Sequence, residues 1–84
     1  MSAKIIRAIL FALLKCDGQP FPEESLITAV QLVCRPEEPT ESDVTDKMKT
    51  LASDGFISGA TDELTKERTW TLTTKGVHKA RQLR

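Results

Sequence analysis

The thiol and imidazole side chains of this sequence, the types suited to thiol chemistry, imidazole proton transfer and zinc ligation, are three: Cys16, Cys34 and His78. His78 is the only histidine, so imidazole-based proton transfer has one candidate and no visible partner. Two cysteines and one histidine can in principle bind zinc, but their separations match no zinc-ligand spacing. Cys16 and Cys34 close apolar helical runs, where a thiol acts as a small core residue; redox sensing is the minor alternative. No glycine-rich phosphate loop and no nucleophile motif occurs. The expectation is therefore a non-enzyme that uses neither metal nor cofactor. Two cysteines without C-x-x-C spacing make no disulfide framework, and a reducing, cytoplasmic setting is the simplest reading.

What remains is the chemistry of recognition, and it depends on which elements carry the polar side chains. At 84 residues the chain is expected to form one domain, residues 1–84. Ile6, Ile9, Leu10 and Leu13 recur at helical spacing over Lys4–Cys16, a run ended by Asp17-Gly18-Gln19-Pro20. This run is too short to cross a bilayer and Arg7 interrupts it; no small-residue cleavage site follows, so neither a membrane span nor a signal peptide is expected. Pro22 at a first helical position, followed by Glu23 and Glu24, opens a second helix to Cys34, with Leu26, Ile27, Val30, Val33 and Cys34 facing inward. Arg35-Pro36-Glu37-Glu38-Pro39 connects it to a third helix. There Thr40 and Asp43 form an acidic capping box, Val44, Met48 and Leu51 face inward, and Gly55 takes a left-handed stop. Phe56–Ser58 and Arg68–Thr73 read as two strands around a polar loop, with Trp70 and Leu72 inward. Thr74 is expected to cap a last helix with Val77, Ala80 and Leu83 on one side. The fold class is mainly α with a small β-hairpin, in the order helix-helix-helix-strand-strand-helix.

That order resembles a winged helix-turn-helix domain. Asp43-Val44 through Met48, Leu51, Gly55 and Ile57 looks like the recognition helix and first wing strand of MarR-like and PadR-like transcription regulators. Trp70-Thr71-Leu72-Thr73-Thr74-Lys75-Gly76 looks like their second wing strand entering the next helix. The resemblance covers Glu24 to Leu83, although the proline-containing connector is longer than the usual turn. It implies double-stranded DNA as partner, with the third helix in the major groove and the wing on backbone or minor groove. Opposite the Val44–Met48–Leu51 stripe lie Ser42, Asp46, Lys49 and Ser53, flanked by Thr45 and Thr50. With Lys66 and Arg68 of the wing, these eight are the candidate DNA contacts.

Charge placement qualifies that reading. The chain is neutral overall, but residues 1–16 carry +3, residues 17–39 carry −4, residues 40–70 carry −3 and residues 71–84 carry +4. The basic charge thus sits at the termini and the segment meant for phosphate is acidic, so DNA affinity is expected to be weak at physiological salt unless the protein is dimeric or helped. A homodimer would double the phosphate contacts and read two half-sites. Phe11 and Leu14, off the main stripe of the first helix, together with Val77 and Leu83, are the candidate pairing surface. The bland reading of that first helix is a central helix wrapped by its own chain. The alternative function is a winged-helix protein-interaction or oligomerisation module that does not touch DNA.

Overall fold

The computed structural model describes residues 2–16 and 18–83. Asp17, expected in the break after the first helix, and Arg84, in the basic C-terminal segment, lie outside the described residues. The elements are α1 (Ser2–Lys15), β1 (Phe21–Pro22), α2 (Glu23–Val33), α3 (Glu41–Ser53), β2 (Ile57–Thr61), β3 (Arg68–Leu72) and α4 (Thr74–Gln82). The described residues thus form four helices and a three-stranded antiparallel sheet in the order β1-β3-β2. The fold is mainly α with a small β element, as its apolar periodicity implies.

α1 lies at the centre, against α2, α3, α4 and β3. Its Ile9, Leu10 and Leu13 are fully buried beside Leu26 and Val30 of α2 and Val44 and Met48 of α3. Burying such aliphatic side chains stabilises by about 1.5–3 kcal/mol each, which makes this cluster the main driving term for so short a chain. Phe11 and Leu14 are half-buried and pack on the same core. The off-stripe face of the helix is thus largely taken up by its own chain.

α3 starts where its sequence says it should. The Asp43 amide donates to Thr40 Oγ1 at 3.1 Å, and the Thr40 amide donates back to Asp43 Oδ2 at 3.3 Å. Two otherwise unpaired donors at the helix start are satisfied by side chains three positions apart. Gly55, at φ +83°, turns the chain out of α3 into β2.

Four local expectations need correction. Pro22 is not inside α2: at φ −58° and ψ 140° it is extended and precedes the helix. A fixed φ near −65° suits either state, and antiparallel pairing of Pro22 with Thr69 selects the strand. An edge position tolerates the missing amide hydrogen. Val33, expected inside, is 64% exposed, because α2 ends there and only Cys34 turns back into the core. The first hairpin strand begins at Ile57 and runs to Thr61, with Phe56 outside it. Finally, Thr73 and not Thr74 caps α4, accepting from the Gly76 amide at 3.0 Å.

Trp70 is buried in β3, opposite Gly59 of β2 and Phe21 of β1. It fastens the hairpin to the helices, as its alternation with Thr69 and Thr71 implies. Thr73 completes the junction. Its hydroxyl proton is shared between the carbonyls of Gly55 at 2.6 Å and Phe56 at 2.9 Å. The residue therefore joins the end of α3, the start of β2 and the start of α4 at one point.

Candidate nucleic-acid interface

The hairpin loop is built by Asp62. Its Oδ1 accepts the amides of Leu64 at 2.8 Å and Thr65 at 3.2 Å, while its carbonyl accepts the Lys66 amide at 2.9 Å. The Asp62 amide closes the loop on the Glu67 carbonyl at 2.8 Å. An aspartate here is a turn-builder, since its short carboxylate can reach amides two and three residues on. Lys66, next to last in the loop, is held in the left-handed region at φ +64°, which costs a non-glycine residue about 1–2 kcal/mol. The geometry delivers the Lys66 and Arg68 side chains on the side of the hairpin that faces α3.

Thr45 and Lys49 of α3 meet Lys66 and Arg68 of the hairpin along one open cleft of about 670 Å³, whose other wall is the start of α2. Four of the eight candidate contacts are therefore brought together from two elements. Ser42, Asp46, Thr50 and Ser53 are exposed on α3 but do not line the cleft. Arg68 is steadied by Trp70, its Cζ lying 5.9 Å from the ring centroid. The same ring donates its Nε1 hydrogen to Glu23 Oε1 at 3.2 Å.

Two features modify what these groups can offer. The hydroxyls of Thr45 and Thr50 donate to their own helix, to the carbonyls of Glu41 at 2.8 Å and Asp46 at 3.1 Å. They therefore present a methyl group and acceptor lone pairs, suited to a thymine methyl or to a base amino group. The cleft also contains Glu23, Glu24 and Glu67, which match Lys49, Lys66 and Arg68 in number. The sequence signalled the acids of the hairpin, but Glu23 and Glu24 enter the site only because β1 brings the start of α2 up to β3.

Three of the four residues expected to form a pairing surface lie around two depressions that Leu14 joins. Phe11 lines an apolar groove between α1 and α2, together with Ala12, Phe21, Ala29 and Val33. Val77 lines a separate depression with Leu13 and Leu72, and Leu14 borders both. Leu83 packs against the core from the end of α4. The exposed apolar side chains that sequence reasoning missed are Leu32 and Val33, at 52% and 64% exposure, and Leu64 at the hairpin tip. Leu32 falls off the inward stripe of α2, and that was the available signal.

Cys34 is buried, and the Cys16 thiol donates to the Ala12 carbonyl at 3.5 Å; both are free thiols. Among the described residues no three His, Cys, Asp or Glu side chains group closely enough to hold a metal ion. No helix of the described residues is long and apolar enough to cross a membrane. Compared with protein-family models, curated proteins and solved structures, the chain finds no match.

Proposed function

We propose that this is a small winged-helix protein that binds double-stranded DNA and regulates transcription, placing α3 in the major groove and the β2–β3 hairpin, as its wing, on the adjacent backbone. The observation that carries the reading is the convergence of Lys49, from the helix, with Lys66 and Arg68, from the hairpin, on one cleft. Phosphate contacts fix register and base contacts give sequence preference; two lysines and an arginine flanking a helix that exposes Thr45 and Lys49 can do both. The short β1 between the first two helices, pairing with the second hairpin strand, supports the same reading. The protein works as a homodimer in a reducing cytoplasm, which suits its two free thiols.

A second reading has an observation of its own. Glu23, Glu24 and Glu67 give the cleft as many acids as bases, which suits a protein partner with a mixed or basic surface better than a polyanion. Fluorescence anisotropy with random duplex DNA at low and physiological salt separates the two. For a DNA-binding protein, affinity falls steeply with salt, and Lys49→Ala with Lys66→Ala lowers the slope of log K against log salt by about 0.9 per lost contact. Lys47→Ala, on the side of α3 that faces the connector, leaves the slope unchanged. Absence of binding at low salt rejects the DNA reading.

A further inference from the structure

The basic charge at the two ends of the chain has no part in the cleft, since neither α1 nor α4 lines it. Of the twelve acids, all but Asp17 lie between Glu23 and Glu67. The described residues of α1 and α4 therefore carry cations alone: Lys4, Arg7 and Lys15 on one helix, Lys75, Lys79 and Arg81 on the other. The two helices pack against each other.

Three of these cations gather round Leu14. Lys15 follows it in the chain, and Arg81 shares with it the depression between α1 and α4. Arg7 precedes it by seven residues, nearly two full turns, and so lies on the same side of α1. The other three are turned elsewhere. Lys4 donates to the Cys34 carbonyl at 3.4 Å and Lys75 to the Asp54 carbonyl at 2.7 Å. Lys79, half-buried, stands on the far side of α4 from Arg81. Arg7, Lys15 and Arg81 are exposed, and the one ion pair among the described residues is Arg35–Glu38, so no described carboxylate neutralises them.

The spread of these charges selects the occupant. From Arg7 to Lys15 the helix rises by about 12 Å, while a nucleic-acid duplex carries one phosphate charge per about 1.7 Å of its axis. Cations spaced over such a span each meet a phosphate whatever the base sequence. A protein partner would have to place its acids at matching points. A bilayer would take apolar side chains along with the charge, but Phe11 and Leu14, which stand among the cations, are half-buried against the core.

We propose that the α1–α4 face is a second phosphate-binding surface, on which Arg7, Lys15 and Arg81 hold the backbone of a nucleic-acid duplex without regard to sequence. It goes beyond the reading of the cleft and does not depend on it, because this face holds a duplex whether α3 meets DNA or protein. With both surfaces filled by DNA, one chain joins two duplex segments.

Fluorescence anisotropy of the full chain with random duplex DNA, from about 20 to 200 mM salt, tests it. Arg7→Gln with Lys15→Gln and Arg81→Gln lowers the slope of log K against log salt by about 2.7, at about 0.9 per phosphate contact. The circular dichroism spectrum stays unchanged, since all three positions are exposed. Exchanges that keep the charge, Arg7→Lys, Lys15→Arg and Arg81→Lys, keep the slope. The same fall is expected in a chain that already carries Lys49→Ala and Lys66→Ala. A slope that responds to Lys49 and Lys66 but not to the α1–α4 cations overturns the proposal and leaves the cleft reading standing. The reverse result supports the proposal and rejects the cleft reading alone. Tighter binding to phosphatidylserine-containing vesicles than to the duplex at equal salt also overturns it, as does a chain that binds no duplex at low salt.

Discussion

Replacing Thr73 by alanine tests whether one hydroxyl at the β3–α4 junction holds three elements together. The hydroxyl accepts from the Gly76 amide as the α4 N-cap and donates toward the Gly55 and Phe56 carbonyls. Loss of an N-cap costs about 1 kcal/mol, and loss of a donated hydrogen bond adds about 0.5–1.5 kcal/mol. The lower half of that second range applies, because Gly55 is exposed and water can replace the donor, while the Phe56 carbonyl keeps the Thr73 amide at 3.1 Å. The expected loss is therefore about 1.5–2 kcal/mol, which for a urea dependence of about 1 kcal/mol per molar lowers the midpoint by about 1.5–2 M. Circular dichroism and Trp70 fluorescence, followed together, measure it and check that the transition stays two-state. Thr73→Ser recovers most of the loss. Thr74→Ala, one residue on and exposed, changes stability by less than about 0.5 kcal/mol. Equal losses at the two threonines, or no loss at Thr73, would refute the assignment of the cap.

Two further substitutions have signs that local propensity alone would get wrong. Gly76→Ala raises helix propensity by about 1 kcal/mol, yet its β-carbon would collide with the Phe56 carbonyl oxygen and press on the Leu72 side chain. Urea unfolding is expected to show a net loss of at least about 2 kcal/mol, and a gain would contradict the packing. Lys66→Gly relieves the left-handed strain at φ +64°, so stability holds or rises by up to about 1 kcal/mol. On the proposed DNA reading, affinity measured by anisotropy nonetheless drops with the lost charge. A clear loss of stability would argue against the loop conformation.

The parts of this fold that were legible in the sequence are those closed by short-range bonds. Thr40 and Asp43 cap α3 within four residues, and Gly55 ends it one turn past Leu51. The alternation around Trp70 placed the ring inward because strand period alone decides which face it takes. β1 was not legible. Phe-Pro carries no period, and what makes it a strand is Thr69 and Trp70, far along the chain. Val33 was misplaced for a related reason: a helical wheel gives the direction of a side chain, not where the neighbouring helix stops covering it. At the candidate site the sequence named the polar face of α3. It could not tell which half the hairpin overlooks, and the cleft selects Thr45 and Lys49 from it.

β3 is sewn to its two neighbours by seams of very different reach. Its seam with β2 spans only the hairpin loop between Thr61 and Arg68, whereas the Trp70–Glu23 bond beside its seam with β1 joins residues 47 apart. Loop-closure entropy grows as the logarithm of length, so the roughly sevenfold longer closure costs about 1.7 kcal/mol more. The hairpin can close on its own, but the wall of the cleft made by Pro22 to Ser25 arrives only when the distant seam shuts. The complete site therefore exists only in a chain that has closed this seam, and the isolated hairpin carries one wall of it.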